Sequence, residues 1–109
     1  MAESKQINSI KKKRAIPAGQ TVVADTLPLS RFCGLDYFLC YTQVGGPASK
    51  LLKVSVLKTD NDVEDSVHSR IGNALGVETH VVVNGLNAEL QVVNNEAFDV
   101  ELVFTRTKM

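Results

Sequence analysis

Lys11, Lys12, Lys13 and Arg14 are the densest run of chemistry-bearing side chains in this 109-residue sequence. Four adjacent cations bind anions. On a phosphate backbone they would release about four counterions and hold it weakly, in a salt-dependent way. No aromatic residue interleaves with them, so base stacking is not part of the pattern. An acidic protein surface suits them better, and nucleic acid is disfavoured as a partner. Asp60, Asp62, Glu64 and Asp65 have the look of a calcium loop but lack its central glycine and terminal bidentate glutamate. Cys33, Cys40, His68 and His80 make no recognised metal spacing, and neither histidine stands in a triad context. Phosphate loops, paired-histidine helices and nucleophile elbows are missing as motifs. The sequence therefore predicts no catalytic residue, no metal site and no cofactor. Its cysteines are expected to be unpaired, buried or half-buried thiols in a reducing compartment, and its histidines surface imidazoles.

The charge is unevenly spread around a formal net of zero. Residues 1–20 carry five basic side chains against Glu3, a net of +4, and the remainder carries seven basic against eleven acidic, a net of −4. This reads as a basic arm on an acidic body. Pro17 and Gly19 end the arm by discouraging regular structure. Its partner-binding residues are expected to be Ile7, Ile10, Lys11, Lys12, Lys13, Arg14 and Ile16, the isoleucines anchoring and the cations docking on an acidic neighbour. A solvated tail is the plain alternative. The expected division is residues 1–19 as an extended arm and 20–109 as one domain, so that deleting 1–19 would leave a folded core.

Along the body the apolar residues alternate, the mark of strands with one covered face. Leu35, Tyr37, Leu39 and Tyr41 share one parity, and Phe38 and Cys40 lie on the other. Both faces of that strand are fairly apolar, as for a central strand covered by a second sheet on one side and by a partner or arm on the other. Leu52, Val54 and Val56 point inward in a strand over 50–58, with Leu51 and Leu57 on its outer face. Residues 63–71 read as a weaker edge strand, with Val63, Asp65, Val67, Ser69 and Ile71 sharing a parity. A run over 78–83 pairs with one from about residue 86 through an Asn84-Gly85 turn. Ala88, Leu90 and Val92 face inward, Asn94-Asn95-Glu96 turns the chain, and Phe98, Val100, Leu102 and Phe104 close the core. With a first strand at 21–24, about seven short strands at sandwich-like spacing result. The fold class is all-β, a small antiparallel β-sandwich with an extended N-terminal arm. No apolar run approaches the roughly 18 residues needed to cross a bilayer, and no secretory signal opens the chain, so cytoplasmic synthesis without a membrane is expected.

Two segments carry a family resemblance. Asp25 to Tyr41, DTLPLSRFCGLDYFLCY, resembles the opening of small β-sandwich virion proteins of tailed bacteriophages, where a strand is followed by Leu-Ser-x-Phe/Tyr and a tyrosine-bearing strand. Asn87-Ala88-Glu89-Leu90-Gln91-Val92, then Asn94-Asn95-Glu96, Val100 and Arg106, is similar to their closing pattern. The likeness runs over about residues 20–107. It implies a non-enzymatic structural protein in the neck, collar, tail or baseplate. Such a protein would be assembled in the host cytoplasm as a homo-oligomer and would contact neighbouring virion proteins. Capsid decoration, or a soluble β-sandwich binding module, is the alternative.

Overall fold

The computed structural model describes residues 9–72 and 75–109. Among the described residues eight strands follow one another: β1 (Ser9–Ile16), β2 (Thr21–Pro28), β3 (Gly34–Gln43), β4 (Ser49–Thr59), β5 (Asp62–Gly72), β6 (Val77–Asn84), β7 (Asn87–Asn94) and β8 (Val100–Lys108). One short 3-10 turn, Leu29–Arg31, joins β2 to β3. The strands form a five-stranded sheet in the order β1-β8-β3-β4-β5 and a three-stranded sheet in the order β2-β7-β6. Every pairing is antiparallel. The molecule is an all-β sandwich, as its alternation predicts.

Period-2 patterning sets the core. Leu35, Tyr37, Leu39 and Tyr41 of β3, Leu52, Val54 and Val56 of β4, and Val100, Leu102 and Phe104 of β8 are all buried. They meet Ala88, Leu90 and Val92 of β7, the central strand of the smaller sheet. Phe98 precedes β8 and is half-buried against this cluster. The Tyr37 and Phe104 rings pack at 5.9 Å between centroids, tilted by 55°. Such a pair adds about 0.5–1.5 kcal/mol beyond its burial. The β6–β7 hairpin closes with Gly85 and Leu86 between the paired Asn84 and Asn87. Gly85 has φ +63 at the first loop position, which a type II′ turn requires.

The structure departs from the sequence reading in three places. The first is the arm: its described part is a strand of the sandwich. Ser9 to Ile16 pair with Thr107 to Val100 of β8, and Ile16 is fully buried. Charge obscures the pattern, because Ile10, Lys12, Arg14 and Ile16 share the inward parity while Lys11, Lys13 and Ala15 face out. Long cationic side chains serve on a half-covered edge, where the stem packs and the head reaches a partner. Ile7 lies outside the described residues.

The second departure is β5. It is an edge strand, as its polarity predicts, but its parity does not run through unbroken. A register shift opposite Lys53 and Val54 falls at His68, so Val63, Asp65 and Val67 line up with Arg70, and Ile71 is placed opposite Leu51 on the outer face. Thirdly, both cysteines are exposed as well as free. Cys40 sits on the outer face of β3, and Cys33 lies just before that strand.

Two measurements check this arrangement. Leu102→Ala should cost about 2–5 kcal/mol in a denaturant titration, whereas Glu101→Ala, on the outer face, should cost about 0.5 kcal/mol or less. Deleting residues 1–16 should lower the unfolding midpoint substantially, because it uncovers β8 and empties the Ile16 site. A truncated protein as stable as the full chain would contradict the placement of β1.

Candidate functional site

A β-bulge generates the main polar constellation of the interior. In β2, Val23 pairs with Gln91 and Asp25 with Leu90, leaving Ala24 as the extra residue. In a regular ladder Ala24 would take the place opposite Leu90 and Asp25 would share the outward parity of Thr21 and Val23; the bulge turns the carboxylate into the core, where it is almost wholly buried. Re-aiming one side chain is what bulges do. Asp25 Oδ2 accepts hydrogen bonds from the Tyr37 hydroxyl at 2.9 Å and from Arg106 Nη1 at 2.8 Å. Lys12 Nζ lies 3.6 Å from Oδ1. Arg14 Nε donates to the carbonyl of the bulged Ala24 at 3.0 Å. One acid from the smaller sheet is thus held by cations and a phenol from β1, β3 and β8 of the larger one.

Asn94 does comparable work at one end. Its amide donates to the Ile16 carbonyl at 3.0 Å and the Phe98 carbonyl at 2.9 Å, and its Oδ1 accepts from Glu96 N–H at 2.9 Å. The end of β1 is stapled to the β7–β8 connection. Neither constellation offers a nucleophile or an open position to a substrate, and both serve to hold the sheets together.

The outer face of the five-stranded sheet is different. Reading across the ladders, Lys13, Val103, Cys40, Leu51 and Ile71 form one row. Lys11, Thr105, Phe38 and Lys53 form the next. Phe38 is 48% exposed, Leu51 37%, Leu57 56% and Ile71 65%. Lys53 Nζ stands 5.2 Å over the Phe38 ring. Phe38, Cys40, Val103, Leu51 and Ile71 adjoin on the ladder, while Leu57 stands apart across the polar row of Asp36, Ser55 and Ser66. The double-sided apolarity of β3 is the sequence signal for the adjoining group.

The predicted contact residues divide around this geometry. Lys11 and Lys13 border the outer face, with Lys13 Nζ 3.3 Å from Glu101. Lys12 and Arg14 are engaged with Asp25 and Ala24, Ile10 is half-buried beside them, and Ile16 is core. The basic run therefore does not act as one patch. Asp60, Asp62, Glu64 and Asp65 do not converge either. Asp62 accepts from Val63 N–H at 2.8 Å, and Asp65 accepts from Val81 N–H at 3.1 Å, joining β5 to β6. Among the described residues no three of His, Cys, Asp and Glu gather as metal ligands. His80 Nε2 lies 3.8 Å from Glu78. A cleft of about 310 Å³ opens between β5 and β6, lined by Lys50, Asp65, Arg70, Thr79 and His80 among others. Lys50 donates there to the Leu75 and Val77 carbonyls at 3.2 and 3.4 Å.

The Asp25 constellation escapes the sequence reading, although one signal for it exists. Arg106 continues the parity of Val100, Leu102 and Phe104, so it enters the core on the same face. A charged residue that prolongs a buried apolar series demands a buried counter-charge.

No protein-family model matches the sequence, and no curated protein does. Crystal structures of two phage tailspike proteins are among those that share the fold. The tailspike protein of Acinetobacter baumannii phage AM24 matches over 91% of this chain at a TM-score of 0.59 and 12% identity. The tailspike protein of Acinetobacter phage vB_ApiP_P1 matches over 98% at a TM-score of 0.58 and 17% identity. The likeness is one of fold. The chain corresponds to about a quarter of each tailspike, 25% and 23% respectively.

The two tyrosines, the whole tyrosine content of the chain, give a test of the interior. Burial pushes the Tyr37 phenol far above its ordinary 10.0, with the Asp25 charge adding to the effect. Tyr41, which shares a hydrogen bond with Thr79, is also pushed far up by burial. A raised folded pKa means that the unfolded chain loses its protons first. The stabilisation is complete below pH 10 and is lost as the pH climbs above it, by up to about 1.4 kcal/mol per pH unit for each phenol. Lys50 works oppositely: burial, then the Arg70 charge, lower its pKa from 10.5, so its contribution improves as pH approaches that value. Phenolate absorbance should therefore rise only together with loss of the β-sheet circular dichroism signal. Phenolate appearing near pH 10 in folded protein would contradict the burial of Tyr37 and Tyr41.

Proposed function

We propose that this chain is a structural β-sandwich of a tailed-phage virion, working in the tail by assembly and not by catalysis. The observation that carries the reading is the fold match, in which nearly the whole chain overlays about a quarter of two phage tailspike chains. The closing and opening segments quoted above, with their resemblance to small phage virion sandwiches, point the same way. Among tail, neck, collar, baseplate and capsid surface, the tailspike likeness favours the tail.

The surface chemistry supports an assembling role. A domain that only had to stay dissolved would have little use for Phe38, Leu51, Leu57 and Ile71 on an uncovered sheet face. The partners are other copies of the chain and neighbouring virion proteins. Lys11 and Lys13 are the members of the basic run best placed to engage them, at the border of that face. Lys12 and Arg14 contribute indirectly by fixing β1.

Antibodies raised against the recombinant chain should decorate the tails of purified phage particles in electron micrographs. Mass spectrometry of the same particles should find the chain in stoichiometric amounts. Label on the capsid would replace this reading by decoration of the head. Absence from washed particles, with abundant protein left in the lysate, would overturn the virion role.

A further inference from the structure

We propose that the cleft between β5 and β6 is a binding site for a carboxylate, held by Arg70, Lys50 and the main chain of Thr79. The proposal goes beyond the assembly reading above and does not depend on it.

The cleft follows from the unequal sheets. β5 and β6 are edge strands that face each other across one side of the sandwich, and no main-chain ladder joins them. Side chains staple them instead. Asp65 accepts from Val81 N–H at 3.1 Å, and Lys50 donates to the Leu75 and Val77 carbonyls at 3.2 and 3.4 Å. Asn84 and Asn87 flank the β6–β7 turn as a hydrogen-bonded pair, so Val77, Thr79 and Val81 turn their main-chain groups away from β7. The staples serve Val77 and Val81. Thr79 lies between them, and its main-chain N–H has no partner among the described residues. The cleft beside it holds about 310 Å³. That is the lower end of the roughly 300–1,000 Å³ usual for small-ligand pockets.

Charge selects the ligand. On the inner face Lys50 stands opposite Gly72 and Arg70 opposite Leu52, so the two cations are diagonal neighbours. Burial, then the Arg70 charge, lowers the Lys50 pKa, as unrelieved proximity requires. Arg70 makes no hydrogen bond or ion pair to another described residue. Lys50 keeps one ammonium N–H beyond the two given to carbonyls. A planar carboxylate matches the guanidinium fork with two parallel hydrogen bonds and leaves lone pairs for Lys50 and Thr79 N–H. Phosphate suits the cleft less. Asp65 and Glu78 also line it, Glu78 being shared at the rim with His80 and Asn95, so a second negative charge is repelled as well as attracted. A free small acid and an acidic side chain of another protein present the same carboxylate.

Amide NMR of the isotope-labelled chain tests the site and separates those sources. Sodium acetate, with chloride balancing the ionic strength, should move the Lys50, Arg70 and Thr79 resonances along one saturable curve. The dissociation constant should be on the order of millimolar, as so small a ligand allows. Acetyl-Gly-Asp-Gly-amide carries its sole carboxylate on a side chain. If it binds more tightly than acetate, the site belongs to a protein partner; if acetate alone binds, it belongs to free acids. The Asn counterpart of the peptide should move nothing, and inorganic phosphate should bind more weakly than acetate. Arg70 is an exposed edge residue, so Arg70→Gln should leave the circular dichroism spectrum unaltered while weakening acetate at least about tenfold. Arg70→Lys should recover only part of that loss, because the fork is gone. Lys53→Gln, on the outer face, should change nothing. Shifts that drift without saturating, phosphate held more tightly than acetate, or full binding by Arg70→Gln would overturn the proposal.

Discussion

The ion pair between Asp25 and Arg106 ties the two sheets together at a point where almost everything else is apolar. Taking both charges out of water carries a large desolvation cost, repaid only by close geometry and further hydrogen bonds. Tyr37 supplies one such hydrogen bond, Lys12 adds a second cation 3.6 Å away, and the bulge at Ala24 brings the acid within reach. The pair is thus less a source of net stability than a condition on the fold. Slip β2 by one residue and the carboxylate leaves the core, stranding Arg106. Hydrophobic burial alone would tolerate several alignments of the two sheets, and the buried charges single out one.

The sheets are unequal, and the inequality shapes the surface. Three strands cannot cover five, so the flanking strands of the larger sheet meet solvent even on their inner side. The chain meets that exposure with polar side chains. Lys12 and Arg14 cover the β1 flank, while Lys50, Asp65 and Arg70 line the cleft on the β5 flank. The outer face received the opposite treatment, with apolar residues left at its centre. Edges made polar and a centre left apolar direct association toward face contact and away from uncontrolled strand addition at the edges.

Most of the sandwich was legible in the sequence, because a half-buried strand must alternate. Tyr37, Leu90 and Leu102 occupy the side that their parity assigns, and β5 is an edge as its polarity suggests. What escaped were places where one residue more or less changes the parity. The bulge at Ala24 and the shift at His68 each reverse a strand without a glycine or proline to announce it. β1 escaped for a different reason. Lys12 and Arg14 stand where an alternation rule expects apolar residues, and only the position of Asp25 explains them. The outer face was half legible, since Leu51 and Leu57 were visibly on the wrong side, but only the ladder shows Leu51 joining Phe38 and Cys40 while Leu57 stands apart.

The topology also has a consequence for how the chain is made. β1 pairs with β8 alone, and Ser9 and Thr107, linked through their hydroxyls, are 98 residues apart. A ribosome releases the first strand long before its partner exists. During that interval Ile10 and Ile16 lack the strand that pairs with their own, and the β1–β8 ladder cannot close until β8 has been made. Non-local closure of this kind is slow. The charged side chains of β1, which look wasteful in a finished sandwich, keep that waiting segment dissolved until its place in the sheet is ready.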